Sequence, residues 1–155
     1  MTEFDDDMTL GEARDLLRTL VKKGHHCPLC TQYARVYRRP LNAGIARALI
    51  LMYLRGGTDW IHKPTVLNGI GAAARDESIS RYWGLTEEEI ERREDGGRAG
   101  WWRITEDGER WVRRQSTVSK YALIYDQRCL GFDGPQVTIV DALGDRFDWR
   151  ELMNS

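Results

Sequence analysis

Apolar residues along the chain fall into runs of helical period, broken by glycine and proline. Leu10, Ala13, Leu16, Leu17, Leu20 and Val21 recur at the spacing of one helix face. Thr9 and Glu12 have the spacing of a capping box, so the first helix is predicted to start at Thr9. Gly24 is its predicted stop, in a left-handed C-terminal conformation. Residues 25–40, HHCPLCTQYARVYRRP, read as a loop opening into a short strand or hairpin through 33–37, closed by Pro40. Asn42 is a good cap for a second helix running to Arg55, with Ile45, Leu49, Met52 and Tyr53 as its core face and Gly56-Gly57 as its end. Residues 59–62 form a short extended piece. Pro64 suits the first position of the next helical segment, which carries Val66, Leu67 and Ile70.

Residues 69–74 are rich in Gly and Ala and predict a tight connection or weak helix. Asp76 caps a helix through Trp83, with Ile79, Tyr82 and Trp83 inward and Gly84 as its stop. Residues 85–90 and 100–104 read as strands around a turn at Gly96-Gly97. Thr105 caps a helix in which Trp111 and Val112 pack and Arg110, Arg113 and Arg114 face out. Residues 120–125 and 129–132 predict a hairpin turning at Asp126-Gln127, with Tyr121, Leu123, Tyr125, Leu130 and Phe132 as its alternating apolar positions. A short apolar segment, 137–143, ends at Gly144. Asp148 and Glu151 open a last helix at 149–153.

Helix, short strand, helix, helix, strand, turn, strand is the winged-helix order. Gly84-Leu85 after the third helix, and Trp102-Arg103-Ile104-Thr105-Glu106-Asp107-Gly108 after the hairpin, resemble the pattern of bacterial winged helix-turn-helix regulators. Each part has a physical role: Gly84 permits a positive φ, Leu85 and Ile104 anchor the hairpin, and Thr105 caps the next helix. The expected fold is therefore α+β. Residues 1–40 hold an N-terminal helix and a Cys-x-x-Cys knuckle, 41–115 a winged helix-turn-helix domain, and 116–155 a C-terminal β-hairpin and short helix. The resemblance implies that helix 76–83 is a recognition element. Its outward residues would be Glu77, Ser78, Ser80 and Arg81, with Arg75 at its start and Arg92, Arg93 and Arg98 on the wing.

Composition adjusts this picture. A chain of 155 residues with 41% apolar residues, six of them Trp, can build a real core. The formal net charge is -1, which hides an asymmetry. From Arg14 to Lys63 the charges are almost all basic, whereas 86–95, TEEEIERRED, is strongly acidic. From Trp60 to Arg114 acids slightly outnumber bases, and a DNA reader usually carries a basic excess. Two partners follow as expectations: double-stranded DNA, or a protein bound through the acidic wing. The first helix and the C-terminal hairpin are the two candidate surfaces for a homodimer. No run approaches the roughly 20 apolar residues of a membrane span, and the acidic start is unlike a secretory signal. A bacterial cytoplasm is the expected compartment.

Cys27-Pro28-Leu29-Cys30 has the spacing of half a zinc site, with His25 and His26 just before it. Zinc wants four ligands, and no second Cys-x-x-Cys occurs. His25, His26, His62 and Cys129 are the candidates to complete a structural zinc. A redox pair, an iron site, or structural cysteines without metal are the other readings. The stretch CPLCTQYARVYRRPLN resembles a segment of small uncharacterised phage and prophage proteins, which implies a phage or prophage origin and no particular activity. No phosphate-binding loop, dinucleotide fingerprint, zinc-protease motif or nucleophile elbow occurs, so no enzyme is expected. Read together, these features point to a DNA-binding regulator of phage type. The alternative is a non-enzymatic module that binds a host or phage protein.

Overall fold

The computed structural model describes residues 4–68, 72–89 and 100–155, with the side chains of 72–76 also outside the description. Helix α1 (Leu10–Leu20) starts in the expected capping box: Thr9 Oγ1 accepts from Glu12 N–H, and the Glu12 carboxylate accepts from Thr9 N–H. Strands β1 (His25–His26), β2 (Tyr33–Ala34) and β3 (Tyr37–Pro40) follow, then α2 (Ala43–Gly56) and β4 (Ile61–His62). Next come α3 (Lys63–Val66), a 3-10 helix (Ala72–Trp83), β5 (Thr86–Glu88), β6 (Trp101–Ile104) and α4 (Glu106–Val112). Strands β7 (Val118–Tyr125) and β8 (Arg128–Val137) and helices α5 (Ile139–Leu143) and α6 (Trp149–Met153) complete the chain. The protein is thus α+β, with antiparallel sheets.

Helix α2 lies at the centre because its sequence leaves no polar face long enough to stay wet. Ala43, Gly44, Ile45, Ala46, Ala48, Leu49, Ile50 and Met52 are all buried. A helix apolar on nearly every side must be enclosed. Asn42 caps it, with Oδ1 accepting from Ile45 N–H at 3.0 Å. Around it pack Leu85, Trp102, Ile104, Trp111, Val112, Ile139 and Leu143 in one continuous core. The C-terminal segment therefore shares its core with the middle one. Two indoles fasten it there: Trp111 Nε1 donates to Val137 O at 3.1 Å, and Trp149 Nε1 donates to Val112 O at 2.8 Å.

The sheets have the orders β1-β2, β3-β7-β8 and β4-β6-β5. In the last, β6 lies between the other two, with Ile61 opposite Trp102 and Thr86 opposite Ile104. In the second, the N-terminal β3 joins the C-terminal hairpin, with Tyr37 opposite Ile124 and Pro40 opposite Tyr121.

Four expectations shift. No residue of α1 is buried; its apolar stripe is half-covered and Leu10 is 64% exposed. The expected strand 33–37 is two strands serving different sheets. The hairpin strands run longer than predicted, and their buried residues are Ala122 and Val137, while Leu130 and Phe132 are exposed. Finally, the segment expected as helix from Asp76 is a 3-10 helix already under way at Ala72. Its local hydrogen bonding explains the tighter winding. Ser80 Oγ donates to the carbonyl of Glu77, three residues back, and Gly84 N–H donates to Arg81 O. Such i−3 bonds compete with the i−4 ladder of an α-helix. Among the described residues, no helix is long and apolar enough to cross a membrane.

Candidate nucleic-acid interface and cysteine knuckle

The 3-10 helix is held in place from three sides. Its period of three residues per turn puts Glu77, Ser80 and Trp83 on one face. That face is turned inward: Glu77 and Ser80 are buried and Trp83 is half-buried. The Glu77 carboxylate is 2.8 Å from the Lys63 ammonium, and the same ammonium sits 4.0 Å from the centre of the Trp102 ring. Ser80 Oγ shares a 2.8 Å hydrogen bond with Thr86 Oγ1. Trp83 Nε1 donates to Ser119 O at 2.7 Å, tying the helix to β7.

These contacts correct two expectations. Ser80, expected to read DNA, is fully buried, and its hydroxyl is engaged with Glu77 O and Thr86. Glu77, expected to face outward, is an internal ion-pair partner. The α-helical period assumed from sequence misassigned both. Ser78 is half-exposed and Arg81 exposed, one 3-10 turn apart on another face. Arg75 stands on the same helix, its side chain outside the description. Arg92, Arg93 and Arg98 lie outside the described residues.

From Arg81 a chain of contacts leads across the surface. Arg81 Nη2 donates to Tyr82 Oη at 3.2 Å, and Tyr82 Oη donates to Gln127 O at 3.2 Å. Gln127 is at the turn of the β7–β8 hairpin, next to exposed Arg128. Arg128 lines a groove of about 670 Å³ with Arg14, Leu17, Arg18, Val21, Tyr125, Asp126 and Leu130. Arg14 and Arg18 are one turn apart on α1, and Arg18 is 3.9 Å from Asp15. The structure therefore gathers arginines of α1 and β8 on one groove, next to a hairpin turn that Tyr82 of the 3-10 helix touches. The basic character of the N-terminal half is legible in the sequence, but its place here is not, because β3 reaches this region only by pairing with β7. On the neighbouring sheet, Glu87 of the acidic run forms an ion pair with Arg103, its cross-strand partner.

The cysteine knuckle is a separate feature. Cys27 N–H donates to Gln32 O at 2.8 Å and Thr31 N–H to Cys27 O at 2.9 Å, which closes a tight turn at the end of the β1–β2 ribbon. Thr31, just after Cys30, takes a φ of +66°. Hydrogen bonding from the backbone of Cys30 and then of Leu29, with a smaller part from the Cys30 side chain, holds the Cys27 thiol below its ordinary value against the opposing effect of desolvation. All three cysteines are free thiols.

Each histidine named as a candidate ligand makes contacts of its own, His26 within the knuckle turn itself. The His25 ring packs on Phe4 with centroids 5.5 Å apart, and the His26 ring packs edge-on against Tyr33 at 5.1 Å. His25 Nδ1 is 2.8 Å from His26 O, and His26 Nδ1 is 3.0 Å from Thr31 O. His62 Nδ1 is 2.6 Å from Thr65 Oγ1, and Cys129 Sγ donates to Gly131 O at 3.4 Å. Among the described residues, no three His, Cys, Asp or Glu side chains form a group placed to hold a metal ion.

Comparison of the chain with protein-family models, with curated proteins and with solved structures finds no match.

Proposed function

We propose that residues from about Leu41 to Arg114 form a winged helix-turn-helix, and that the protein is a regulator of phage type that binds double-stranded DNA. The observation that carries this reading is the β4-β6-β5 order, with the strand after the wing lying between the other two. It is joined to α2, α3 and the 3-10 helix in the sequence order of that fold. The 3-10 helix then serves as the recognition element, presenting Ser78 and Arg81.

The second support is electrostatic. Arg81, Arg128, Arg14 and Arg18 follow one another along the surface through Tyr82 and the hairpin turn. Guanidinium groups in such a series suit successive backbone phosphates, which position a protein on a duplex without reading sequence. The overall charge of -1 makes this local arrangement the source of attraction.

The test is binding of the full chain to a random-sequence duplex, followed by fluorescence anisotropy across a salt series. Binding should weaken steeply with salt. Arg81→Ala and Arg128→Ala should each weaken it uniformly across sequences and reduce the salt slope by about 1. A chain that binds no duplex at low salt would overturn the reading.

A further inference from the structure

We propose that the two hollows beside the β7–β8 turn form one binding surface for single-stranded nucleic acid, with bases stacked on Tyr33 and Tyr37 and phosphates met by arginines. It shares Arg14, Arg18 and Arg128 with the duplex surface proposed above, and adds an aromatic half that a duplex does not use.

The larger hollow is the arginine groove between α1 and the hairpin. The smaller, of about 370 Å³, lies toward the β1–β2 ribbon and holds Tyr33, Arg35 and Tyr37. Leu17, Tyr125 and Asp126 line both, so the two adjoin. Among the described lining residues, Arg14, Arg18, Arg35 and Arg128 stand against a single acid, Asp126. Asp15, 3.9 Å from Arg18, is an exposed partner that offsets little of this charge. A groove with such an excess tracks a phosphate backbone.

The tyrosines say which kind of strand. Both side chains are about half exposed into the same hollow, and both are ordered. Tyr33 meets the His26 ring edge-on at 5.1 Å, and its hydroxyl donates to Lys23 O at 3.4 Å. Tyr37 is opposite Ile124 in the β3–β7 ladder, with the Arg35 guanidinium 5.1 Å from its ring centre. Rings already held in place lose little freedom on binding. Bases in a duplex are stacked on one another and show only their edges, whereas an unpaired strand can splay its bases onto aromatic rings. Such stacking tolerates any sequence, because every base has a π-face. Arg35 serves twice, meeting phosphate while its cation lies over an aromatic ring. An acidic peptide would satisfy the arginines and leave the tyrosines unused.

The test titrates the full chain against a fluorescent oligothymidylate at low salt and reads anisotropy. Binding should weaken as salt rises. Tyr37→Ala should weaken it about 5- to 100-fold, the range for one lost base–aromatic stack, while Tyr37→Phe should bind like the parent because it keeps the ring. Arg35→Ala, outside the strand ladders, should weaken binding and reduce the salt slope. Neither Tyr37 variant should change affinity for a random-sequence duplex, which separates this site from the duplex reading. Oligothymidylate bound by a chain that ignores duplex would sustain the site; duplex bound without oligothymidylate or oligouridylate would overturn it. An oligouridylate of equal length distinguishes the two sources, the tighter strand naming DNA or RNA as the ligand. Tyr37→Ala binding like the parent, or Tyr37→Phe as weak as Tyr37→Ala, would overturn the stacking. Polyglutamate displacing the strand as well as unlabelled oligothymidylate does would overturn it in favour of an acidic protein.

Discussion

Lys63 at the start of α3 and Glu77 in the 3-10 helix form an ion pair at 2.8 Å, their side chains only 12% and 7% exposed. The pair fixes the two short helices relative to each other. Burial makes it fragile to one-sided change. Glu77→Ala leaves an ammonium enclosed beside Trp102 and should cost about 3–5 kcal/mol in chemical denaturation. Replacing both partners by apolar residues, Lys63→Met with Glu77→Leu, should recover most of that loss. A single variant as stable as the parent would show that the pair does not set the helix position.

Gly108 sits where α4 crosses the start of β5. A Cβ there would lie 2.0 Å from Leu85 O and 2.8 Å from Ile104 Cγ2. The first contact is to backbone, which cannot swing aside. Gly108→Ala should therefore destabilise by about 1–3 kcal/mol, as overpacking does. Thr105→Ala removes the cap on Gly108 N–H, 3.0 Å away, and should cost about 0.5–2 kcal/mol. Thermal melts of the two variants measure both; Gly108→Ala melting with the parent would contradict the close approach.

That junction also shows what was legible in the sequence. Gly84-Leu85 and Thr105 to Gly108 were singled out as separate fragments of one pattern, and they meet in space. Thr105 Oγ1 donates to Gly84 O, Thr105 N–H donates to Leu85 O, and Gly108 lets the helix come close. Caps and stops were legible because they are local: Thr9, Asn42, Thr105 and Asp148 all cap as expected. The burial of Ser80 is not legible, because the winding of one helix, 3.0 rather than 3.6 residues per turn, decides which side chains turn inward. The groove of Arg14, Arg18 and Arg128 was hidden for another reason. Residues more than a hundred positions apart become neighbours there through strand pairing, which no local pattern encodes.

The turn of the β7–β8 hairpin places Asp126 at φ +50° and Gln127 at φ +60°. Two left-handed residues in a two-residue hairpin turn are the setting in which Asn-Gly or Asp-Gly is favoured. Glutamine has no such preference. Gln127→Gly should stabilise the fold by about 0.5–1 kcal/mol, since a left-handed L-residue costs roughly 1–2 kcal/mol and glycine returns part of this as extra freedom in the unfolded chain. The Tyr82 hydrogen bond goes to the Gln127 carbonyl and survives the change. A raised denaturation midpoint is the expected reading; a lowered one would mean that the glutamine side chain has a role the turn geometry does not reveal.

Cys27 should reveal its surroundings through pH. Its thiol is held below the ordinary value, first by the backbone N–H of Cys30 and then by that of Leu29. The sign follows directly. A depressed value means that the folded chain keeps the thiolate at a pH where an unfolded thiol is already protonated. Any order this lends the knuckle is present above the unfolded value and lost as pH falls through the folded one. In chelator-treated, reduced protein, alkylation of Cys27 followed by mass spectrometry should therefore rise at lower pH than in the same chain unfolded in urea. Leu29→Pro removes one of the two N–H donors and should move the profile back toward that of the unfolded chain. Coincident profiles for folded and unfolded protein would show that the N–H groups do not reach the sulfur.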